Sequence, residues 1–278
     1  MGIVLSSCQS IKLLPFKTIE VNDQLVIATG AGGNSAILVS KDKKHVLIVD
    51  TKMGRGARKL YKWTKKNTDN AQITLINTHF HGDHTKGNKF YEKSGRLKNV
   101  YTGVYSDAQW LAETGSVKPS NLEELPGGSY KMMHFYGENV HLFSMGAGHT
   151  WSDVVVYFER AKTLHIGDLL FSGFHPIIQQ KSGASVVGWI NGLEDILSKF
   201  EDIQVIPGHG EITDKEGIER QRQYLAALLE TMDNDQKRQE FKERYRHLSI
   251  IPFYSGVKRS LKAMEREKTK QDHGAAGR

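Results

Sequence analysis

The chain reads His79-Phe-His81-Gly-Asp83-His84 shortly after the apolar run Ile73–Ile76. Three imidazoles and one carboxylate within six residues form the densest group of potential metal ligands in the sequence. At the end of a strand, His79 and His81 would point to the same side, because side chains alternate along a strand. Asp83 and His84 would follow in the turn. Imidazole and carboxylate ligands in this arrangement favour two adjacent divalent ions of the zinc or iron type.

Three further segments each place one candidate ligand after a strand-like run or in a glycine-rich turn. They read Gly146-Ala-Gly-His149-Thr-Trp-Ser-Asp, Leu164-His-Ile-Gly-Asp168 and Val205-Ile-Pro-Gly-His209-Gly. Glycine at such places lets the backbone approach a metal closely and adopt positive φ angles. In this order and spacing, the four segments resemble the metallo-β-lactamase superfamily, over a stretch that runs from about Leu25 to about Leu229.

The resemblance implies seven metal ligands in two groups. The first group, His79, His81 and His149, would hold one ion; the second group, Asp83, His84 and His209, would hold another; and Asp168 would bridge them. True β-lactamases of this fold typically carry cysteine or serine at the bridging position, whereas glyoxalase II-like thioesterases and lactonases carry aspartate. Two zinc ions are expected, and because no thiolate is present, iron or manganese could be bound instead.

Asp50 follows the apolar run Val46–Val49 and matches an early strand-end aspartate of the superfamily. The resemblance implies that it orients a ligand histidine by accepting the other N–H of the ring. The alternative is an aspartate that ends a strand and caps the following turn.

Substrate contacts are expected in loops, because loops carry specificity on such folds. His175 lies in Gly173-Phe-His-Pro-Ile, shortly after Asp168, and either contacts substrate or belongs to a simple turn. Trp110 and Trp151 are candidates for the wall of an apolar pocket. Trp189, at helical spacing, is expected in the core instead.

The reaction that the resemblance implies is hydrolysis. Two ions about 3.5–4 Å apart would share a water, lower its pKa from about 15.7 towards about 7, and leave a bridging hydroxide to attack a carbonyl. The bond would be an ester, thioester, lactone or β-lactam-like amide of a small molecule, and Asp83 would hold the hydroxide and move its proton. Two alternatives stay open: a mononuclear iron enzyme resembling persulfide dioxygenases, with Asp83 and His84 idle, and a metal-stabilised binding protein without turnover.

Charge along the chain argues against a nucleic-acid partner. The net charge is +7, but residues 236–278 hold 12 Lys or Arg against 5 Asp or Glu, and the first 235 residues hold 26 of each. An RNA-processing relative would need a basic groove near the metals. We therefore expect a small-molecule substrate, and the sequence leaves the oligomeric state open.

Cys8 is the single cysteine, so the chain forms no intrachain disulfide. It ends Leu5-Ser-Ser-Cys8, which resembles the lipidation site of bacterial lipoproteins. Only Met1-Gly-Ile-Val precedes it, without a basic residue or the roughly 7–15 apolar residues of a signal. Either the natural start lies further upstream or the match is accidental. Two locations stay open: a periplasmic or lipid-anchored one, through Cys8, and a cytoplasmic one. Lipidation of Cys8 is the only expected route to a membrane.

Strand-like runs mixed with helical patterns predict an α/β fold with helices covering sheet faces. The clearest helices are expected over Gly54–Asn67 and Val186–Phe200. The resemblance implies a four-layer αββα sandwich with extra C-terminal helices. We predict an N-terminal segment over residues 1–20, a catalytic domain over 21–235 and a basic C-terminal extension over 236–278. A long amphipathic helix should begin after Asp214 and a second at Lys258–Lys270, with disorder over the last eight residues.

Overall fold

The computed structural model describes residues 15–275, with side chains described as far as Glu267. Cys8 and the proposed lipidation segment lie outside the described residues. The strands form one seven-stranded sheet in the order β1 to β7 and one five-stranded sheet in the order β12-β11-β10-β9-β8. Their bounds are β1 Lys17–Glu20, β2 Leu25–Thr29, β3 Ser35–Val39, β4 His45–Val49, β5 Gln72–Ile76, β6 Leu97–Gly103, β7 Leu122–Leu125, β8 Tyr130–Phe135, β9 Glu138–Gly146, β10 Asp153–Phe158, β11 Thr163–Ser172 and β12 Gln204–Gly210.

Helices cover the outer face of each sheet. They are α1 Gly54–Asn67, α2 Gly82–Thr85, α3 Asn88–Glu92, α4 Asp107–Thr114, α5 Val186–Lys199, α6 Lys215–Leu229, α7 Asp235–Tyr245 and α8 Val257–Ala275, with a short 3₁₀ turn at Gln180–Ser182. No helix among the described residues is both long enough and apolar enough to span a bilayer.

Three buried clusters correspond to the three contacts between four layers. The central cluster joins the inner faces of the two sheets, for example through Leu47 and Val156. A second cluster packs α1 and α4 onto the first sheet, and a third packs α5 and α6 onto the second sheet. The expected αββα sandwich is therefore confirmed. Its strands β4 and β5 pair in parallel, as do β11 and β12, so their carboxyl ends lie at a common edge of each sheet.

The C-terminal region differs in two respects from the sequence prediction. The helix after Asp214 ends at Leu229, and a separate helix α7 begins where the Asn234 side chain accepts a hydrogen bond from the backbone N–H of Lys237. Helix α8 continues to Ala275, so the prediction of disorder from residue 271 is wrong as far as that residue. Because Phe241 and Met264 are buried in the cluster under α5, α7 and α8 complete the outer layer of the second sheet.

Candidate metal centre

The histidine-rich block lies where strand β5 leaves the first sheet. The strand ends at Ile76, so His79 and His81 lie in the loop after it, not in the strand itself. His81 is the N-cap residue of the short helix α2, which contains Asp83 and His84. The sequence prediction of a strand end was thus wrong by a few residues, and the loop together with α2 sets the directions of these side chains.

The first ligand group meets at its ring nitrogens. Nε2 of His149 lies 3.0 Å from Nδ1 of His81 and 3.4 Å from Oδ2 of Asp168. Nε2 of His79 lies 3.8 Å from the same oxygen. The potential ligand atoms of these four residues all lie within 4.8 Å of one another, which is compatible with a shared cation.

The second ligand group meets beside the first. Nε2 of His209 lies 3.0 Å from Oδ2 of Asp83 and 3.5 Å from Oδ1 of Asp168. Nε2 of His84 lies 3.1 Å from the same Asp168 oxygen. The two oxygens of Asp168 are therefore divided, with Oδ2 facing the first group and Oδ1 facing the second.

Several atoms that face this space lack a partner. Nε2 of His79, His84 and His209 and Oδ1 of Asp168 are buried, and although polar atoms of the two groups lie 3.0–3.8 Å apart, these four atoms form no hydrogen bond of good geometry with any described residue. An unsatisfied buried polar group costs roughly 1–3 kcal/mol, and a bound cation would satisfy all four. Imidazole nitrogens and carboxylate oxygens without a thiolate suit zinc, iron or manganese, so the residues present fit a pair of divalent ions.

Contacts on the far side of the rings fix which nitrogen each histidine presents. Nδ1 of His84 lies 2.7 Å from Oδ2 of Asp50, and Nδ1 of His149 lies 3.0 Å from the carbonyl oxygen of Ile177. Both acceptors require a proton on Nδ1, so each ring directs its Nε2 towards the site. Nδ1 of His79 lies 3.0 Å from the Thr78 hydroxyl, which donates to Oδ2 of Asp50, so this ring also presents Nε2.

The two groups differ in their electrostatics. Burial lowers the pKa of His79, and it lowers the pKa of His149 to about 3. Burial acts in the same direction on His209, but Asp168 and Asp83 outweigh it and raise the pKa of His209 to about 9. For His84, the carboxylates of Asp168, Asp50 and Asp83 likewise outweigh burial and raise the pKa. The histidines of the first group are thus neutral, whereas neighbouring carboxylates favour the protonated form of the histidines in the second group.

A buried lysine fixes the loop beside the second group. Nζ of Lys52 donates to the carbonyl oxygens of Ala28, Gly30 and Gly33 at 3.0, 3.0 and 2.6 Å, and burial lowers the pKa of Lys52 to about 7. Gly33 lies directly against the ring of His84, because a Cβ at this position would be 2.3 Å from Cε1 of that ring. The loop therefore restricts the plane of a ligand histidine.

Close backbone approach also holds the bridging carboxylate. A Cβ on Gly208 would lie 1.9 Å from Oδ1 of Asp168, so only glycine leaves room there. Asn34 holds this strand by donating from its backbone N–H to the carbonyl oxygen of Gly208 at 2.7 Å and from its side chain to Pro207 at 2.9 Å. The loop from β2 to β3 and strand β12 therefore support the site together.

The structure separates the three residues expected to contact substrate. Trp151 is 49% exposed in the loop that carries His149, so it remains a candidate. Trp110 is fully buried in the cluster of α1, α4 and the first sheet, so the expectation that it walls an accessible pocket is wrong. His175 is buried with Nδ1 2.9 Å from the Tyr224 hydroxyl, and it joins neither ligand group. Trp189 lies in the core, as expected, and its ring lies 5.3 Å from that of His149.

Sequence reasoning assigned no role to Thr78, Lys52 or Asp153. Asp153 accepts hydrogen bonds from the backbone N–H groups of Gly148 and Thr150 and from the Thr150 hydroxyl, and so fixes the turn that carries His149. An aspartate four residues after a ligand in a glycine-rich turn was a usable signal. The sequence around Lys52 contains no such signal, because lysine is rarely buried without a partner and would be expected at the surface.

The chain is similar to known proteins over most of its length. The family model described as "Metallo-beta-lactamase superfamily" matches residues 29–209. A metallo-beta-lactamase type 2 from Bacillus cereus is 27% identical over 201 residues, which cover 72% of this chain and 76% of the relative. One from Bacteroides fragilis is 25% identical over 174 residues, covering 62% and 67% respectively.

Solved structures share the fold. A metallo-beta-lactamase from Pontibacter korlensis superposes with a TM-score of 0.64 at 19% identity, covering 76% of this chain and 99% of that chain. The crystal structure of DIM-1 metallo-beta-lactamase gives a TM-score of 0.61 at 23% identity, covering 76% and 97% respectively. At these identities the likeness extends to the architecture alone.

Proposed function

The chain belongs to the metallo-β-lactamase superfamily, and we propose that it is a metal-dependent hydrolase with a two-ion centre, most simply two zinc ions. The observation that carries the proposal is Asp168, whose two oxygens face different ligand groups at 3.1–3.8 Å. The buried, unpartnered nitrogens of His79, His84 and His209 support it further, because a cation in each group would satisfy them.

Two bound divalent ions supply an activated water and polarise the carbonyl of the substrate. The chain's own residues orient that chemistry. Asp83 is suited to hold the proton of the attacking water, since its side chain is 30% exposed and therefore accessible from the site. Burial alone would raise the pKa of Asp83, but His84 and His209 lower it overall, so the carboxyl group is ionised at neutral pH.

The second ligand group argues for two ions over one. A mononuclear iron enzyme of the persulfide-dioxygenase type would use the first group with Asp168 and leave Asp83 and His84 without a task. Here His84 is backed by Asp50 at 2.7 Å, and its opposite nitrogen is unpartnered. Such a backing carboxylate is typical of a metal-bound histidine. A binding protein without turnover would have no need for two adjacent, carboxylate-bridged groups.

We propose that the protein cleaves an ester, a thioester or a lactone in preference to a β-lactam. Aspartate at the bridging position resembles glyoxalase II-like thioesterases and lactonases. The relatives from Bacillus cereus and Bacteroides fragilis carry the name metallo-beta-lactamase, which keeps β-lactams among the substrates to be tested. Trp151, exposed beside His149, would contribute an apolar surface to any of them.

The test is a hydrolysis assay with zinc-loaded protein. We expect turnover of at least one member of a panel of aryl esters, acyl thioesters, lactones and β-lactams. A chelator should abolish it and added zinc should restore it. Oxygen uptake with a persulfide is measured in parallel with iron-loaded protein. Oxygen consumption without hydrolysis of any panel member would overturn the proposal and favour a mononuclear iron dioxygenase.

A further inference from the structure

A cavity of about 560 Å³ lies outside the metal centre. It is enclosed by the end of β11 with the residues that follow it, by α6, and by the end of α7. Four aromatic rings contribute to its walls, those of Phe171 and Phe174 from the β11 segment and those of Tyr224 and Tyr245 from the helices. The volume lies in the range of sites for small organic ligands, which are about 300–1,000 Å³ and mainly apolar.

The charged groups of this cavity are all basic. Arg220, Arg244 and His247 line it, and no acidic side chain does so among the described residues. The Arg244 guanidinium lies 5.3 Å from the centroid of the Tyr245 ring and forms no ion pair with any described residue. Arg220 pairs with the exposed Glu216 at 3.4 Å and donates to the Thr213 hydroxyl at 3.3 Å. The unpaired Arg244 cation beside aromatic rings favours an occupant with a negative charge and an apolar body.

One buried amide in the cavity wall lacks a partner. Gln221 is 5% exposed, and its Nε2 is buried without a hydrogen bond to any described residue. Its Oε1 accepts from the backbone N–H of Phe171 at 3.4 Å, which fixes the amide so that the nitrogen is the free donor. A buried donor of this kind is costly unless a ligand oxygen satisfies it.

The cavity is separated from the metal centre by one ring. Phe171 stacks on His209 with centroids 5.4 Å apart and an interplanar angle of 14°. None of the seven candidate ligands lines the cavity. We propose that this cavity is a binding site for a small organic carboxylate with an aromatic or acyl body, with Arg244 and the Gln221 amide as its polar contacts. The inference is independent of the proposed hydrolysis, because it requires neither turnover nor metal.

The test is isothermal titration of the full chain with 2-naphthoate and, as the uncharged comparison, 2-naphthamide. We expect naphthoate to bind and naphthamide to bind at least several-fold more weakly. Arg244→Gln should weaken naphthoate binding by roughly ten- to a hundred-fold, the usual effect of losing one charged hydrogen bond. Gln221→Leu, which keeps the volume, should weaken it several-fold.

Arg246→Gln is the matched control, because Arg246 follows the same helix, pairs with Glu243 at 3.4 Å and does not line the cavity. It should bind naphthoate like the unchanged chain. Metal-free and zinc-loaded protein should also bind it equally. The proposal is overturned by undetectable naphthoate binding, by equal binding of the amide, by an Arg244→Gln variant equal to Arg246→Gln, or by binding that disappears with the metal. Failure of hydrolysis would leave these results unaffected.

Discussion

The two ligand groups share Asp168 but differ in what stands behind their histidines. In the first group, His79 and His149 are backed by neutral oxygens, the Thr78 hydroxyl and the Ile177 carbonyl. In the second group, His84 is backed by the carboxylate of Asp50. The second group also contains the carboxylate of Asp83 as a candidate ligand. The first site would thus consist of neutral imidazoles, and the second of imidazoles that contact carboxylates. We therefore expect metal binding at the two sites to respond differently to substitution.

Asp168→Ala should have the largest effect, because it removes the group that the two sites have in common. We expect loss of the second ion or of both, and hydrolysis reduced to background, while the fold survives. Metal analysis, circular dichroism and the assay check this. The control is Asp202→Ala, which removes an exposed carboxylate paired with Lys162. Turnover like that of the unchanged chain would contradict the bridging role.

Gly33→Ala should act on the second group alone. The added Cβ would lie 2.3 Å from the His84 ring, which must then turn away from its ligand position. We expect this variant to hold one ion under conditions where the unchanged chain holds two. Cobalt(II) substitution followed by visible absorption can count the sites. Gly192→Ala is the control, since its Cβ would meet nothing closer than 3.8 Å; an equal loss in both variants would argue against the steric explanation.

Asp50→Asn should weaken the second site without emptying it. Removing the charge behind a metal-bound histidine typically costs roughly 10- to 100-fold in metal affinity. Titration against a competing chelator should show this loss at one site and little change at the other. Equal weakening of both sites would mean that the difference in backing groups has no functional consequence.

Thr78→Val should have the smallest effect and should touch both sites. The Thr78 hydroxyl contacts Nδ1 of His79 and donates to Asp50, so it links the two backing systems. Loss of a hydrogen bond of about 1 kcal/mol predicts roughly five-fold weaker binding at each site. Thr64→Val, which removes a buried hydroxyl bonded within α1, serves as the control in the same chelator titration. A change in metal affinity at only one site would show that Thr78 does not link the groups behind the two sites.

Local patterns were sufficient for much of the fold. Helix α1 spans Gly54–Asn67, with the bounds expected from sequence, and helix α5 spans Val186–Lys199, one residue shorter than expected. The periodicity of apolar residues and the turn residues depend on positions close together in the chain, so the sequence alone reveals them. The capping box of Ser106 and Gln109 is a sequence signal for helix α4, which places Trp110 in a helix and not in a loop that contacts substrate.

Contacts between distant segments could not be predicted in this way. Lys52 is buried only because three carbonyl oxygens from a loop about twenty residues earlier converge on it. His175 is held by Tyr224, which follows 49 residues later. The backbone of Asp50 has a positive φ of 59°, which is uncommon outside glycine although aspartate adopts it more often than most residues. Ligand identity follows from motifs, whereas the groups behind the ligands depend on tertiary structure.

Elemental analysis of the purified, unsupplemented protein tests the central claim most directly, reported as metal identity and ions per chain. We expect close to two ions of zinc per chain, falling to about one in the Asp50→Asn variant after mild chelation. Close to one iron per chain, unchanged in that variant, would contradict a two-ion centre and remove the roles given to Asp83 and His84.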